Sequence, residues 1–195
     1  MLPSVQRVAV ADSVLVIVDV QDKLLALIQQ TPALLINIEF LLDAGKLLNV
    51  PVLATEQYPK GLGPTAASIA QRLPRPIPEK TAFSCCGSTE FAQQVVGAGR
   101  STAVLAGIES HVCVLQTALD LLERGSKVVI PVDAVAARGA IDHDTALHRL
   151  ERAGVLLTTS EAVVFEWLGS SASPVFKSAS ALVQERSRRL REAIR

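Results

Sequence analysis

The sequence predicts an α/β chain built on a doubly wound, mostly parallel sheet with helices on both faces. Three observations carry that prediction. Short β-branched and aliphatic runs alternate with longer stretches of helical periodicity along the chain. The first run, Val14-Leu-Val-Ile-Val18, is continuously apolar, as a strand buried on both faces requires. Hydrophobic residues make up 49% of the chain and charged residues 19%, which supplies a large core and excludes disorder. With 4% aromatic residues that core is aliphatic. A length of 195 residues fits one domain, 1–195, with the C-terminal helix 178–195 as an appendage.

The elements follow in order. After the strand Val14–Val18, Pro32 to Leu48 reads as a helix and Pro51 to Ala54 as a second strand. Thr55 to Pro64 holds two Gly and two Pro and reads as a loop. Thr65 to Leu73 allows a short helix, and Pro74, Pro76 and Pro78 impose an extended connection. Ser88 to Val96 is a helix with Ser88 as its N-cap. Ser101 to Ala106 is the third buried strand. His111 to Arg124 is a helix closed by Gly125. A strand at Lys127–Pro131, a helix at Asp142–Ala153 closed by Gly154, and a strand at Val155–Leu157 complete the alternation. Ser160 then caps a helix carrying Glu161 near its start, and Ser178–Arg195 forms the last helix.

Composition excludes several classes. Lys plus Arg and Asp plus Glu each number 19, a formal net charge of zero, which argues against a general nucleic-acid binder. No apolar run approaches the ~20 residues of a membrane span, so no membrane association is expected. The N-terminal run lacks the basic flank of a signal peptide. Three Cys cannot all pair within one chain and match no zinc spacing, so a reducing cytoplasm is the expected setting. The charge is uneven: Lys177–Arg195 holds six basic and two acidic residues, a net +4, so the rest of the chain carries −4.

In open parallel sheets ligands bind beyond the carboxyl ends of the strands. That rule draws attention to the residues after Val18, Ala54 and Ala106. Asp19 directly follows the first strand; it reads either as a cap for the next turn or as a general base. Cys113 sits at the start of the helix after the third strand. It reads either as a buried structural Cys or as a nucleophile whose thiolate the helix N-terminus favours. Lys80 is either an exposed loop residue or the cation that assists both. His111, two residues from Cys113, is an alternative base, but positions two apart on a helix face different ways. His143 and His148 are five apart, off the spacing of a helical metal pair.

These residues carry a resemblance. Val16-Ile-Val-Asp19-Val-Gln21, Ala54-Thr-Glu-Gln-Tyr-Pro-Lys-Gly-Leu-Gly63, Glu79-Lys-Thr-Ala-Phe-Ser84 and Gly107-Ile-Glu-Ser-His-Val-Cys-Val-Leu-Gln-Thr-Ala-Leu-Asp120 appear in that order, with Thr158 to Glu166 as a further match. Together they resemble the isochorismatase-like cysteine hydrolases, in particular the isochorismatase-domain-containing branch, from about Val14 to Phe176. The resemblance implies a three-layer α/β/α fold and a catalytic triad with Cys113 as nucleophile, Asp19 as base and Lys80 as electrostatic partner. It implies a cis peptide at Ile108–Glu109 and an oxyanion hole from the backbone N–H groups of Glu109 and Cys113. It also implies a dimer or larger homo-oligomer.

Departures narrow the expectation. Metal-dependent nicotinamidases of this family resemble one another in a His two residues after the Asp. Gln21 stands there, so no metal and no cofactor are expected. Cys113 favours acyl chemistry over the vinyl-ether cleavage of isochorismatases proper. The expected activity is hydrolysis of a small amide or related C–N bond, in a pocket drawn from Gln21, Gln57, Tyr58, Phe83 and Cys85. A vinyl-ether hydrolase and a catalytically silent interaction module are the alternatives, the latter using the basic tail as a docking helix.

Overall fold

The computed structural model describes residues 7–193, and the expectations that fall on residues 1–6 and 194–195 lie outside it. Seven strands form one parallel sheet: β1 (Ser13–Val18), β2 (Val52–Gln57), β3 (Glu79–Lys80), β4 (Thr102–Ile108), β5 (Lys127–Pro131), β6 (Val135–Ala136) and β7 (Leu156–Thr158). Their order is β3-β2-β1-β4-β5-β7, with β6 beside the end of β4. The chain leaves β1 in one direction for β2 and β3, and returns on the other side through β4, β5 and β7. The switch point therefore lies between β1 and β4.

The helices are α1 (Asp22–Leu25), α2 (Thr31–Leu48), α3 (Pro59–Leu62), α4 (Ala67–Ala70), α5 (Thr89–Ala98), α6 (Leu115–Glu123), α7 (Ala140–Arg152), α8 (Ser160–Leu168) and α9 (Phe176–Ala193). The pleat of β1 sorts them into layers, because successive side chains point to opposite faces. Leu15 and Ile17 pack with Leu41 of α2 and with Val163 and Trp167 of α8. Val14, Val16 and Val18 pack with Phe91 of α5, Leu121 of α6 and Leu150 of α7. Two aliphatic cores, one on each face, account for the unbroken apolar run.

β1 and β4 lie close together at the switch point. Val18 is opposite Gly107, whose φ is 127°. A Cβ on Gly107 would come within 2.1 Å of the Val18 carbonyl oxygen, so only glycine fits there. One residue further on, the Ile108–Glu109 peptide bond is cis.

Several boundaries differ from expectation. Thr55–Gln57 continue β2 where a loop was expected, because Thr55 still pairs with β1 and Glu56 and Gln57 pair with β3. Pro59–Leu62 form a helical turn inside that same stretch. The two-residue strands β3 and β6 had no sequence signature. The Thr65–Leu73 helix contracts to Ala67–Ala70. Thr159, not Ser160, caps α8: its hydroxyl accepts from the Ala162 N–H, while Ser160 N and Oγ both donate to Asp133 at 2.7 Å. Ser88 does cap α5 as expected.

The tail helix begins at Phe176 and packs along α2 and α8. Arg186 donates to Asn37 Oδ1 at 2.7 Å, Asp133 Oδ2 at 2.8 Å and Glu161 Oε2 at 2.9 Å, with its guanidinium 5.3 Å from the Phe40 ring centre. Arg189 donates to Glu39 at 2.8 Å. The acidic counterpart of this basic helix is in its own chain.

Candidate active site

Asp19 follows the last residue of β1 in a left-handed conformation, φ 50°, and is fully buried. It does not cap the next turn: Gln21 holds that position for α1. Its carboxylate is instead surrounded by donors. Thr55 Oγ1, at the matching level of β2, donates to Oδ1 at 2.8 Å. Lys80 Nζ, from β3, donates to Oδ2 at 2.6 Å. The Cys113 thiol is a further neighbour of the carboxylate. Three elements of the sheet's carboxyl edge thus bring together three residues that lie far apart in sequence.

Lys80 is as buried as its partner. Its ammonium also donates to Gln57 Oε1 at 2.7 Å, the Phe83 carbonyl at 2.8 Å and, more weakly, the Ala82 carbonyl at 3.3 Å. Three N–H bonds therefore face four acceptors. A buried ammonium is costly unless paired, and here it is paired and fully coordinated.

Cys113 lies in a π-turn, Ser110–Val114, between β4 and α6, where the sequence predicted plain α-helix. The Val112 and Val114 N–H groups both return to the Glu109 carbonyl, at 3.1 and 3.2 Å. Among the described residues, the Glu109 N–H donates to no protein acceptor. Wide turns of this type recur at functional sites.

The electrostatics correct one expectation. A helix N-terminus was expected to favour a thiolate, but the Cys113 thiol is pushed well up, by burial first and by the Asp19 charge second. Burial also raises the Asp19 carboxyl, against the opposing pull of Lys80. Burial and the neighbouring carboxylate thus favour the thiol over the thiolate. Cys113 and Asp19 form a pair between which a proton can pass, and the pair titrates as a unit.

The residues expected to line a pocket separate into two groups. Tyr58 and Phe83 are each 54% exposed at the rim. Gln21 and Cys85 are fully buried. Cys85 Sγ lies 3.2 Å from Thr55 Oγ1, behind the carboxylate, and burial pushes its thiol up to about 12. Gln57 is tied to Lys80 and, through Nε2, to the Thr81 carbonyl at 3.0 Å.

The structure adds contacts that sequence reasoning missed. Glu109 is held by Arg138, which donates to it from N, Nε and Nη2 at 3.2, 3.1 and 2.9 Å. Ser110 Oγ meets His143 Nδ1 at 3.0 Å. Arg138 and His143 border a cavity of about 450 Å³, with Gln29, Asn37 and Asp133. No local spacing signals these pairs, because their partners are about thirty residues apart. His111 Nδ1 is buried without a partner among the described residues.

Comparison with known proteins gives these features a context. The family model described as the isochorismatase domain matches residues 13–162. Isochorismatase domain-containing protein 2 of Homo sapiens is 38% identical over 183 residues, spanning 94% of this chain and 88% of its own. The MAR1 ribonuclease of Caenorhabditis elegans matches with a TM-score of 0.85 and 39% identity, over 92% of this chain and 93% of its own. The YcaC gene product of Escherichia coli, described as an octameric hydrolase of unknown specificity, matches with a TM-score of 0.88 and 25% identity, over 95% and 92%.

Proposed function

The chain belongs to the isochorismatase family, and from that premise we propose that it hydrolyses a small amide or related C–N bond through Cys113. One observation supports this most: a buried carboxylate, Asp19, has the Lys80 ammonium at 2.6 Å and the Cys113 thiol as a further neighbour. Base, cation and nucleophile are the parts that covalent acyl transfer needs.

In this reading Asp19 takes the thiol proton as sulfur attacks the carbonyl carbon. The new oxyanion is held by the Glu109 and Cys113 N–H groups. Losing one such donor typically costs ~3 kcal/mol of transition-state stabilisation, so the π-turn matters as much as the triad. Protonated Asp19 then gives its proton to the departing nitrogen as the C–N bond breaks. A water molecule, deprotonated by the same carboxylate, attacks the thioester and releases the acid, and the proton returns to sulfur. Lys80 acts through its charge, which keeps Asp19 available as a base although burial opposes that state.

Vinyl-ether hydrolysis is the second reading and would not need sulfur. An RNA substrate, raised by the name of the nematode relative, is less well supported, since a formal net charge of zero leaves no basic excess for the phosphate backbone. The deciding experiment is a turnover screen over small amides, ureas, carbamoyl compounds, vinyl ethers and RNA, with Cys113→Ala alongside. Amide turnover that is lost in the variant supports the proposal. Turnover equal in both proteins defeats covalent catalysis, activity on vinyl ethers alone favours the second reading, and no activity on any compound favours a silent module.

A further inference from the structure

Gln21 and Gln57 look like pocket residues in the sequence, yet the Gln21 amide is spent on the Gln57 backbone and Gly63, and the Gln57 amide is tied to Thr81 and Lys80. We propose that they are positioning residues: Gln21 clamps Gln57, and Gln57 holds the Lys80 ammonium against Asp19. The proposal rests on the Asp19–Lys80–Cys113 reading above and assigns it two further parts.

The clamp follows from where β1 ends. Val18 is the last residue of β1 paired with β2, opposite Thr55. Two residues further on, Gln57 has no strand beside it on that side. The Gln21 side chain supplies one. Its Oε1 accepts from the Gln57 N–H at 2.8 Å, and its Nε2 donates to the Gln57 carbonyl at 3.0 Å. This is the pair of bonds that a residue in a neighbouring strand exchanges. The second Nε2 hydrogen goes to the Gly63 carbonyl at 2.5 Å. A fully buried amide is thereby satisfied, and a side chain of similar volume without the amide would fill the same space but make none of these bonds.

On its other side Gln57 is opposite Lys80 in the β2–β3 register. Its Nε2 bond to Thr81 fixes the amide so that Oε1 faces the ammonium. Asp19, Gln57 and the Phe83 carbonyl then use all three Lys80 protons at 2.6 to 2.8 Å. Lys80 has no proton to offer a substrate, and its place is set by the acceptors around it. Beyond Lys80 of β3, the groups acting on Asp19 are Cys113 of the π-turn and the Thr55 hydroxyl of β2, with the Cys85 thiol close by.

The test reads the Cys113 thiol directly and needs no known substrate. Iodoacetamide labelling rates are measured against pH, with Cys113 distinguished from Cys85 and Cys86 by peptide mass. The full chain is compared with Gln21→Met, Gln57→Met, the double variant, Asp19→Asn, and Lys23→Ala. Lys23 donates to the Gly61 carbonyl at 2.7 Å, so its variant loosens the same loop without touching the relay. Asp19→Asn is expected to change the Cys113 profile. Gln21→Met and Gln57→Met are each expected to slow labelling about tenfold near pH 7, the scale of a hydrogen bond lost from a charged group, and to move the profile. The double variant should be no worse than the poorer single one, because both act through Lys80. Lys23→Ala should match wild type. If the folded glutamine variants keep the wild-type profile, or if their effects simply multiply, the relay is wrong. If Asp19→Asn also leaves the profile unchanged, the triad reading falls and takes the relay with it.

Discussion

Asp19 and Cys113 were legible as candidates because each comes after a buried strand at its carboxyl end, where topology puts ligands, whereas Lys80 follows a proline-rich connection and was marked by the family resemblance. Their roles were less legible. A helix N-terminus suggested a thiolate, but burial and then the carboxylate beside it push the thiol up. Thr55, Arg138 and His143 were not legible, since each acts on a partner about thirty residues away. The raised Asp19 carboxyl has a consequence for rate. Activity should fall as pH drops through a value above the ordinary carboxylate range, and a pH profile of kcat/KM checks it. The thiols have a consequence for stability. Unfolded Cys85 ionises near 9, while the folded thiol is held up to about 12. Between those values the native state binds more protons than the unfolded chain. Stability should therefore fall as pH rises across that window, and chemical denaturation at pH 8 and 10 should show a smaller drop for Cys85→Ala.

At the scale of elements, the long apolar strands and amphipathic helices were readable because periodicity marks them. The two-residue strands β3 and β6 were not, because pairing with β2 and β4 creates them without any pattern of their own. The polar end of β2 is a similar case: Glu56 and Gln57 are strand because β3 pairs with them, not because the residues favour it. The tightest point is where β4 passes β1. Gly107→Ala should cost about 3 kcal/mol or more, since its Cβ meets backbone and its φ disfavours any side chain. Urea denaturation measures that loss. Gly97→Ala, in open space within α5, should be neutral or slightly stabilising.

At the scale of the whole molecule, zero net charge conceals a basic tail balanced by an acidic body. The sequence suggested a solvated helix face or a docking helix against a partner or sister subunit, whereas the tail packs on its own chain. Nothing local could decide this, because the receiving residues Asn37, Glu39, Asp133 and Glu161 are scattered over three other segments. Arg186→Ala should cost about 2 kcal/mol by removing its hydrogen bonds to buried Asn37 and to the partly exposed Asp133 and Glu161, again read by denaturation. Self-association is a proposal at this scale, supported by the octameric description of a relative that matches over 95% of the chain. Size-exclusion chromatography with light scattering should give a multiple of 20.7 kDa, and a clean 20.7 kDa species would refute it.

The central claim is that Cys113 becomes covalently bonded during turnover. Its most direct test is to quench the protein with a hydrolysed amide in steady state and weigh the peptide that contains Cys113. The account predicts that peptide heavier by the acyl group, with the adduct absent in Cys113→Ala and depleted in Asp19→Asn. An unmodified peptide, together with undiminished turnover by Cys113→Ala, would contradict it.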